Sequence, residues 1–191
     1  MYLNHLTKPL PERYIHGYVT TPDGGICILT CVPYLLKLLD DPGVTSFEDD
    51  TTYKRIKGKM NEWELSVFVK IVQRGKPWPR IIFHLLIFFC TAASVARAYI
   101  NCASTDFFEQ IFDELQRVKL MVTGKPIPLK RFVPGGNLLV MNADMDGPQI
   151  LGICRSVMKH NVAEYSGIPN DTPPERIAAE FTKICWRHAK E

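Results

Sequence analysis

The chain has 191 residues, of which 46% are hydrophobic and 23% charged, so it can bury the core of one globular domain and is not dominated by disorder. Its net charge of +3 permits contact with phosphates, but no dense block of Lys and Arg forms a basic nucleic-acid-binding arm. Six cysteines lack the spacing of a disulfide framework, which indicates a reducing compartment, and residues 1–14 lack the pattern of a secretion signal.

Residues 1–43 are predicted to be a lead-in to the main domain, with one short strand and one short helix. The strand is the apolar run 26–32, and the helix begins at Pro33. Cys27 and Cys31 raise the alternative of a zinc site. Their spacing differs from the usual two-residue gap and no matching pair follows, so we interpret them as reduced thiols within an apolar strand.

The main domain, residues 44–191, is predicted to begin with a strand at 47–56. Strand alternation places the neighbouring acids Asp49 and Asp50 on opposite faces, so only one of them can serve a given site. We choose Asp50 as the candidate ligand. The alternative is that the paired acids are solvent-exposed residues at the beginning of the strand. Residues 62–72 also alternate as a strand and are predicted to pair antiparallel with the first.

The apolar run 81–96 is the most unusual segment of the chain. Its sixteen residues fall short of the roughly 20 needed to span a bilayer, so we favour a buried helix or strand, with His84 as a core or interface residue rather than a ligand. A membrane segment and a poorly packed insertion are the alternatives. Residues 97–103 follow as a candidate third strand.

A helix is predicted from Asp106 to about Val122, with Asp106 and Glu109 spaced as a capping box. Its apolar residues recur every three or four positions and define a buried stripe of Phe108, Ile111, Phe112, Leu115, Val118 and Val122. A buried strand at 138–143 follows and stops at Asp144, directly before another helix. Asp144 is therefore expected at the carboxyl end of a central strand, where open α/β sheets bind ligands.

A last helix is predicted to begin with a capping box at Thr172–Glu175 and to continue through Cys185 and His188. Residues three apart on a helix face the same way, so Cys185 and His188 could supply half of a zinc site. No second half of such a site is visible, and the alternative is a buried thiol beside a capping or surface histidine.

Five segments, taken in order, resemble the succession of motifs in fungal transposase-like proteins related to the Mutator-like (MULE) group of DDE transposases. The segments are Asp50-Thr51-Thr52-Tyr53-Lys54, Asn61-Glu62-Trp63-Glu64, Arg97-Ala98-Tyr99-Ile100-Asn101, Ala143-Asp144-Met145-Asp146-Gly147-Pro148-Gln149 and Cys185-Trp186-Arg187-His188. The likeness covers roughly Tyr14 to the end of the chain, and it rests on the order of the segments.

The resemblance implies an α/β, ribonuclease H-like fold: three antiparallel strands plus a parallel strand, with helices on the faces. It implies transposase-type cleavage and transfer of DNA strands at transposon ends, in the nucleus, with Asp50 and Asp144 as catalytic ligands of Mg²⁺ or Mn²⁺ and no small-molecule cofactor. By the same resemblance, Cys185 and His188 correspond to the family's Cys-x-x-His motif. They take a structural or DNA-proximal role, with Zn²⁺ as the candidate ion.

Two departures separate the chain from this family. The family's third acid, a Glu on a later helix, would fall beyond Glu191, and Glu180 precedes the Cys-x-x-His pair and is wrongly placed to replace it. The apolar run 81–96 also interrupts a connection that is short in the family. We therefore expect a fold incomplete at its C-terminus, from a fragment or decayed copy with little activity of its own. The alternative is a non-catalytic module that binds nucleic acid or protein.

Overall fold

The computed structural model describes residues 7–21, 24–52, 60–68, 92–143 and 146–184. Seven strands are described: β1 (Ile15–Thr20), β2 (Ile26–Cys31), β3 (Ser46–Thr52), β4 (Asn61–Phe68), β5 (Ala92–Ile100), β6 (Val140–Ala143) and β7 (Thr182–Ile184). The α-helices are α1 (Pro33–Leu36), α2 (Thr105–Thr123), α3 (Gly147–Met158), α4 (Ala163–Ser166) and α5 (Pro174–Phe181). Leu10–Glu12 and Lys37–Asp40 form 3-10 helices.

The described strands form one mixed sheet in the order β1-β2-β5-β4-β3-β6-β7. From β1 to β3 each neighbouring pair is antiparallel, whereas β6 is parallel to β3 and β7 is parallel to β6. Parallel neighbours need long crossovers, which α2 supplies before β6 and α3 to α5 supply before β7. The predicted α/β class is confirmed, as is the pattern of three antiparallel strands, β3 to β5, with a parallel strand beside the first.

One face of the sheet forms the hydrophobic core. Phe47 on β3 is fully buried, and its register partner on β4 is the buried Val67. The predicted stripe of α2 is also confirmed: its first five members are buried, and Val122 is partly buried against the core. Sheet alternation and helix periodicity therefore converge on one apolar layer.

Gly152 allows α3 to lie very close to α2. A Cβ added at this glycine would come within 2.5 Å of the backbone oxygen of Thr105 and 2.7 Å of the backbone nitrogen of Glu109. Because these are backbone atoms of α2, they cannot rotate away as a flexible side chain can. The two helices therefore need a residue without a side chain at this crossing.

A buried ion pair joins α2 to the 3-10 helix at 37–40. The ammonium of Lys119, whose side chain is 0% exposed, donates to both carboxylate oxygens of Asp40, at 2.9 and 2.8 Å, and to the hydroxyl of Thr123 at 2.6 Å. Burial lowers the pKa of Lys119, and the hydrogen bond and charge of Asp40 oppose that shift.

The N-terminal region contains more sheet than the sequence predicts. The strand at β2 is confirmed, and the predicted helix is a short α-helix continued as a 3-10 helix. β1 was not predicted; it pairs with β2 and extends the sheet, with an irregular register between Ile15 and Gly17. β5 begins at Ala92 rather than at Arg97, so the last five residues of the apolar run 81–96 belong to the sheet. Residues 81–91, including His84, lie outside the described residues.

Two predicted helix caps are wrong. The N-cap of α2 is Ser104, whose hydroxyl accepts from the backbone N–H of Phe107, rather than Asp106. The N-cap of α5 is Pro173, without a side-chain cap, so the box predicted at Thr172–Glu175 does not form.

The last helix is also shorter than predicted. It ends at Phe181, and residues 182–184 form β7 beside β6 instead of continuing the helix. Cys185 and His188, which this helix was expected to carry on one face, lie outside the described residues. Within the described part of the chain, no helix is both long and apolar enough to cross a membrane.

Candidate functional site

The two acids of β3 lie on opposite faces of the sheet, as the alternation predicts. Asp49 is 1% exposed on the core face and is paired in register with Leu65 of β4. Asp50 is partly exposed on the other face and is paired with Glu64. Of the two, Asp50 is therefore the carboxylate that an ion or substrate can reach.

Asp49 belongs to a buried polar network that joins β3, β4 and α3. Its Oδ1 accepts hydrogen bonds from the indole Nε1 of Trp63 and, at 2.7 Å, from the amide of Gln149. The Oε1 of Gln149 in turn accepts from the hydroxyl of Thr51 at 3.0 Å. Because buried polar groups are costly without partners, this network fixes the position of β3 against α3.

Charged side chains follow Asp50 across the sheet: Glu64 is its register partner on β4, and Arg97 is the register partner of Glu64 on β5. Arg97 of β5 lies 3.4 Å from a carboxylate oxygen of Glu62 and 3.6 Å from one of Glu64. Partial burial lowers the pKa of Arg97, but the charges of Glu64 and Glu62, together with Tyr99 and Tyr14, outweigh burial and raise it. The carboxylate of Asp50 accepts from the hydroxyl of Thr52 at 3.3 Å, and no described Lys or Arg forms an ion pair with it.

The described residues do not by themselves form a metal site. Among residues 7–21, 24–52, 60–68, 92–143 and 146–184, no group of three or more His, Cys, Asp or Glu side chains could hold an ion. A divalent cation such as Mg²⁺ takes several oxygen ligands, and Asp50 supplies one carboxylate. Glu62 and Glu64 are engaged by Arg97.

Three of the four predicted site residues are outside the described structure: Asp144, Cys185 and His188. The parallel register of β3 and β6 can be followed as far as the pair Asp49 and Ala143, and Ala143 is the residue before Asp144 in the chain. The prediction that the carboxylates of Asp50 and Asp144 meet within about 4 to 7 Å, as shared ions require, therefore remains a prediction.

Buried thiols and histidines have shifted pKa values. Burial raises the pKa of Cys27, Cys31 and Cys154 to about 12, so these thiols stay protonated and pack as small hydrophobic groups, as the sequence predicts for the apolar segments. Burial also lowers the pKa of His16 and His160. The Nε2–H of His16 donates to the backbone oxygen of Arg13 at 3.0 Å.

Sequence reasoning missed the partners of the two acids. The spacing of β4 indicated that Trp63 and Glu64 face opposite sides, but not that the indole would donate to Asp49. Gln149 could have been noticed in the sequence as a polar residue on the apolar side of α3. In the structure it is fully buried. Comparisons of the chain with protein-family models, with curated proteins and with solved structures find no match.

Proposed function

We propose that the chain is a ribonuclease H-like domain of Mutator-like DDE transposase ancestry. The observation that supports this is the arrangement of β5, β4, β3 and β6: three antiparallel strands, followed by a strand parallel to the first. In the family that the sequence resembles, the second acid ends the fourth strand just before a helix. Counted from β3, the fourth strand is β6, which ends at Ala143, and α3 begins at Gly147.

In this proposal the ancestral activity is cleavage and transfer of DNA strands at transposon ends in the nucleus. Asp50 and Asp144 would hold Mg²⁺ or Mn²⁺, which supplies activation of the attacking hydroxyl and neutralises the leaving oxygen. Asp50 lies on the accessible face of β3, which suits this role. These 191 residues alone should cleave DNA little or not at all, because none of their acids is matched to the family's third acid and a site short of one ligand stabilises the transition state less.

A titration with Mn²⁺ tests the ion site directly. In a two-dimensional NMR spectrum, paramagnetic broadening should be confined to residues near Asp50 and Ala143, and Asp50→Asn should abolish it. Glu48→Gln is the matched control, because Glu48 is on the same strand and the same face. Broadening that persists in Asp50→Asn would show that Asp50 does not hold the ion.

A nicking assay tests the expected loss of activity. The purified chain is incubated with supercoiled DNA and Mg²⁺, and no nicked product is expected above that of a no-protein control. Mg²⁺-dependent nicking that disappears in Asp50→Ala would instead establish a competent nuclease.

A non-catalytic nucleic-acid-binding module derived from such an enzyme is the second candidate. It is favoured by the engagement of Glu62 and Glu64 with Arg97, which leaves Asp50 with few acidic neighbours for an ion. Salt-dependent binding of duplex DNA that is unchanged in Asp50→Ala would support this candidate. Binding that requires both Mg²⁺ and Asp50 would oppose it.

A further inference from the structure

An open cleft of about 430 Å³ lies at the opposite end of β3 from Asp50. Its lining residues come from the loop before β6, from the residue next to β6, and from helices α4 and α5; they are Lys130, Arg131, Leu139, Tyr165 and Glu180. The backbone N–H of Leu139 donates to the oxygen of Thr45, which places the cleft near the amino ends of β3 and β6.

The polar side chains of the cleft are held in place by the surrounding fold. Arg131 donates through Nε to Glu180 at 2.8 Å and through Nη1 to the backbone oxygen of Ser166 at 2.6 Å. The hydroxyl of Tyr165 donates to the backbone oxygen of Lys130 at 3.0 Å. A guanidinium and an aromatic ring that are already oriented lose little conformational entropy when a ligand binds.

Two apolar surfaces in the cleft are exposed although both are large. The side chain of Leu139 is 52% exposed and that of Tyr165 is 47% exposed. The ring of Tyr165 is fixed by its hydroxyl, so its face offers a stacking surface for a planar group. Beside these surfaces the cleft presents Lys130, for which no described residue supplies an ion-pair partner, and the oriented Arg131.

We infer that this cleft binds a nucleotide, with the phosphate at Lys130 and Arg131 and the base against Tyr165 and Leu139. Glu180 selects this class over a simple anion. Its carboxylate repels bare phosphate but can accept a hydrogen bond from a base N–H group, such as N3–H of thymine. The inference does not depend on the proposed nuclease ancestry, because it uses none of the residues around Asp50.

Fluorescence anisotropy with a labelled eight-residue oligo-dT provides the test, with thymidine monophosphate and inorganic phosphate as competitors. Tyr165→Ala should weaken binding about 5- to 100-fold, as loss of one stacked base predicts. Tyr165→Phe, which keeps the ring, should bind as the unmodified chain does. Circular dichroism melting curves establish that each variant is folded.

Charge variants test the phosphate end of the cleft. Lys130→Gln should weaken binding and reduce the salt slope by about 0.7, the change expected for one phosphate contact on a single strand. Lys8→Gln is the matched control, because Lys8 is also exposed and precedes β1, at the far edge of the sheet. The assay is run in EDTA, so no ion is held by Asp50, which separates this inference from the proposed nuclease site.

The competitors distinguish the sources of the nucleotide. Competition by thymidine monophosphate supports a free nucleotide, and binding of the oligonucleotide alone supports a unit of a nucleic-acid strand. The inference is overturned if neither binds, if inorganic phosphate competes as well as the nucleotide, or if folded Tyr165→Ala binds normally.

Discussion

The ion pair between Lys119 and Asp40 gives the sharpest test of how the fold is stabilised. Each of the three ammonium N–H groups of Lys119 has an acceptor in the structure: two oxygens of Asp40 and the hydroxyl of Thr123. The substitution Asp40→Ala removes two of these acceptors and the compensating charge. A fully buried ammonium would then keep one neutral hydroxyl as its acceptor.

We expect Asp40→Ala to lower the free energy of unfolding by about 3 kcal/mol. Removal of one partner of a buried pair costs about 3–5 kcal/mol, and the side chain of Asp40 is 26% exposed, so water can reach the vacated side and the lower end of the range applies. Lys119→Met should cost about 1 kcal/mol, because a methionine fills similar volume and the remaining carboxylate is partly hydrated. The double variant should therefore be more stable than Asp40→Ala alone.

Urea unfolding of the four proteins at pH 7 and at pH 9.5 measures these differences. In the native chain the pKa of Lys119 is already lowered by burial. The folded state therefore binds fewer protons than the unfolded state between that pKa and the ordinary value near 10.5, and this contribution to stability rises with pH. The deficit of Asp40→Ala should shrink at pH 9.5, but not when Lys119→Met is also present. A deficit below about 1 kcal/mol at pH 7, or a double variant as unstable as Asp40→Ala, would refute this reasoning.

Three further outcomes are expected, each measured by urea unfolding. Gln149→Leu should lower the free energy of unfolding by about 2 kcal/mol, because it removes a donor to the buried carboxyl of Asp49. Surface substitutions usually change this free energy by less than about 0.5 kcal/mol, so a change within that range would contradict the network. Gly152→Ala should cost about 1–3 kcal/mol or more by forcing α3 away from α2, and unchanged stability would show that the helices can separate freely. Since burial lowers the pKa of both His16 and His160, stability should be fully present above pH 6.5 and fall as the pH drops from 6.5 toward 5. His16→Gln should flatten that fall, and an equally steep fall in the variant would exclude His16 as a cause.

The strands β3 and β4 and the helix α2 were predictable because each has a clear local period. The alternation of β3 specified a strand whose two acids face opposite ways, and the apolar stripe of α2 specified both a helix and its buried face. β1 was missed because His16 and Gly17 separate Ile15 from Tyr18, Val19 and Thr20. The strand-favouring residues therefore form no continuous run. The beginning of β5 was missed because Ala92 to Ala96 continue the composition of the preceding apolar run.

The end of α5 shows where a helical pattern misleads. Ile184 continues the apolar spacing of that helix, so the sequence predicted a longer element. The backbone instead becomes extended at Thr182, whose hydroxyl donates to the oxygen of Ala178. A β-branched residue at this point favours a strand, and pairing with β6 supplies the hydrogen bonds that the helix would have provided.

The candidate site was predictable only in part. The sequence specified that Asp49 and Asp50 face opposite ways, because alternation is a property of a single strand. It did not specify that Arg97 would engage Glu62 and Glu64, since that contact depends on the register between β4 and β5. Register is set by the whole sheet and has no local signature in any one segment.

The buried amide of Gln149 forms hydrogen bonds with Thr51 and Asp49, which lie about a hundred positions earlier in the chain. An apolar residue in place of Asp49 would remove the acceptor of the Gln149 amide N–H, and an apolar residue in place of Gln149 would remove one of the donors to the buried carboxylate. A single replacement at Asp49 or Gln149 should therefore destabilise the fold more than a paired replacement of both residues. On the outer face, the contacts of Asp50 and of Arg97 are at least partly exposed to solvent, so single replacements there should cost less stability.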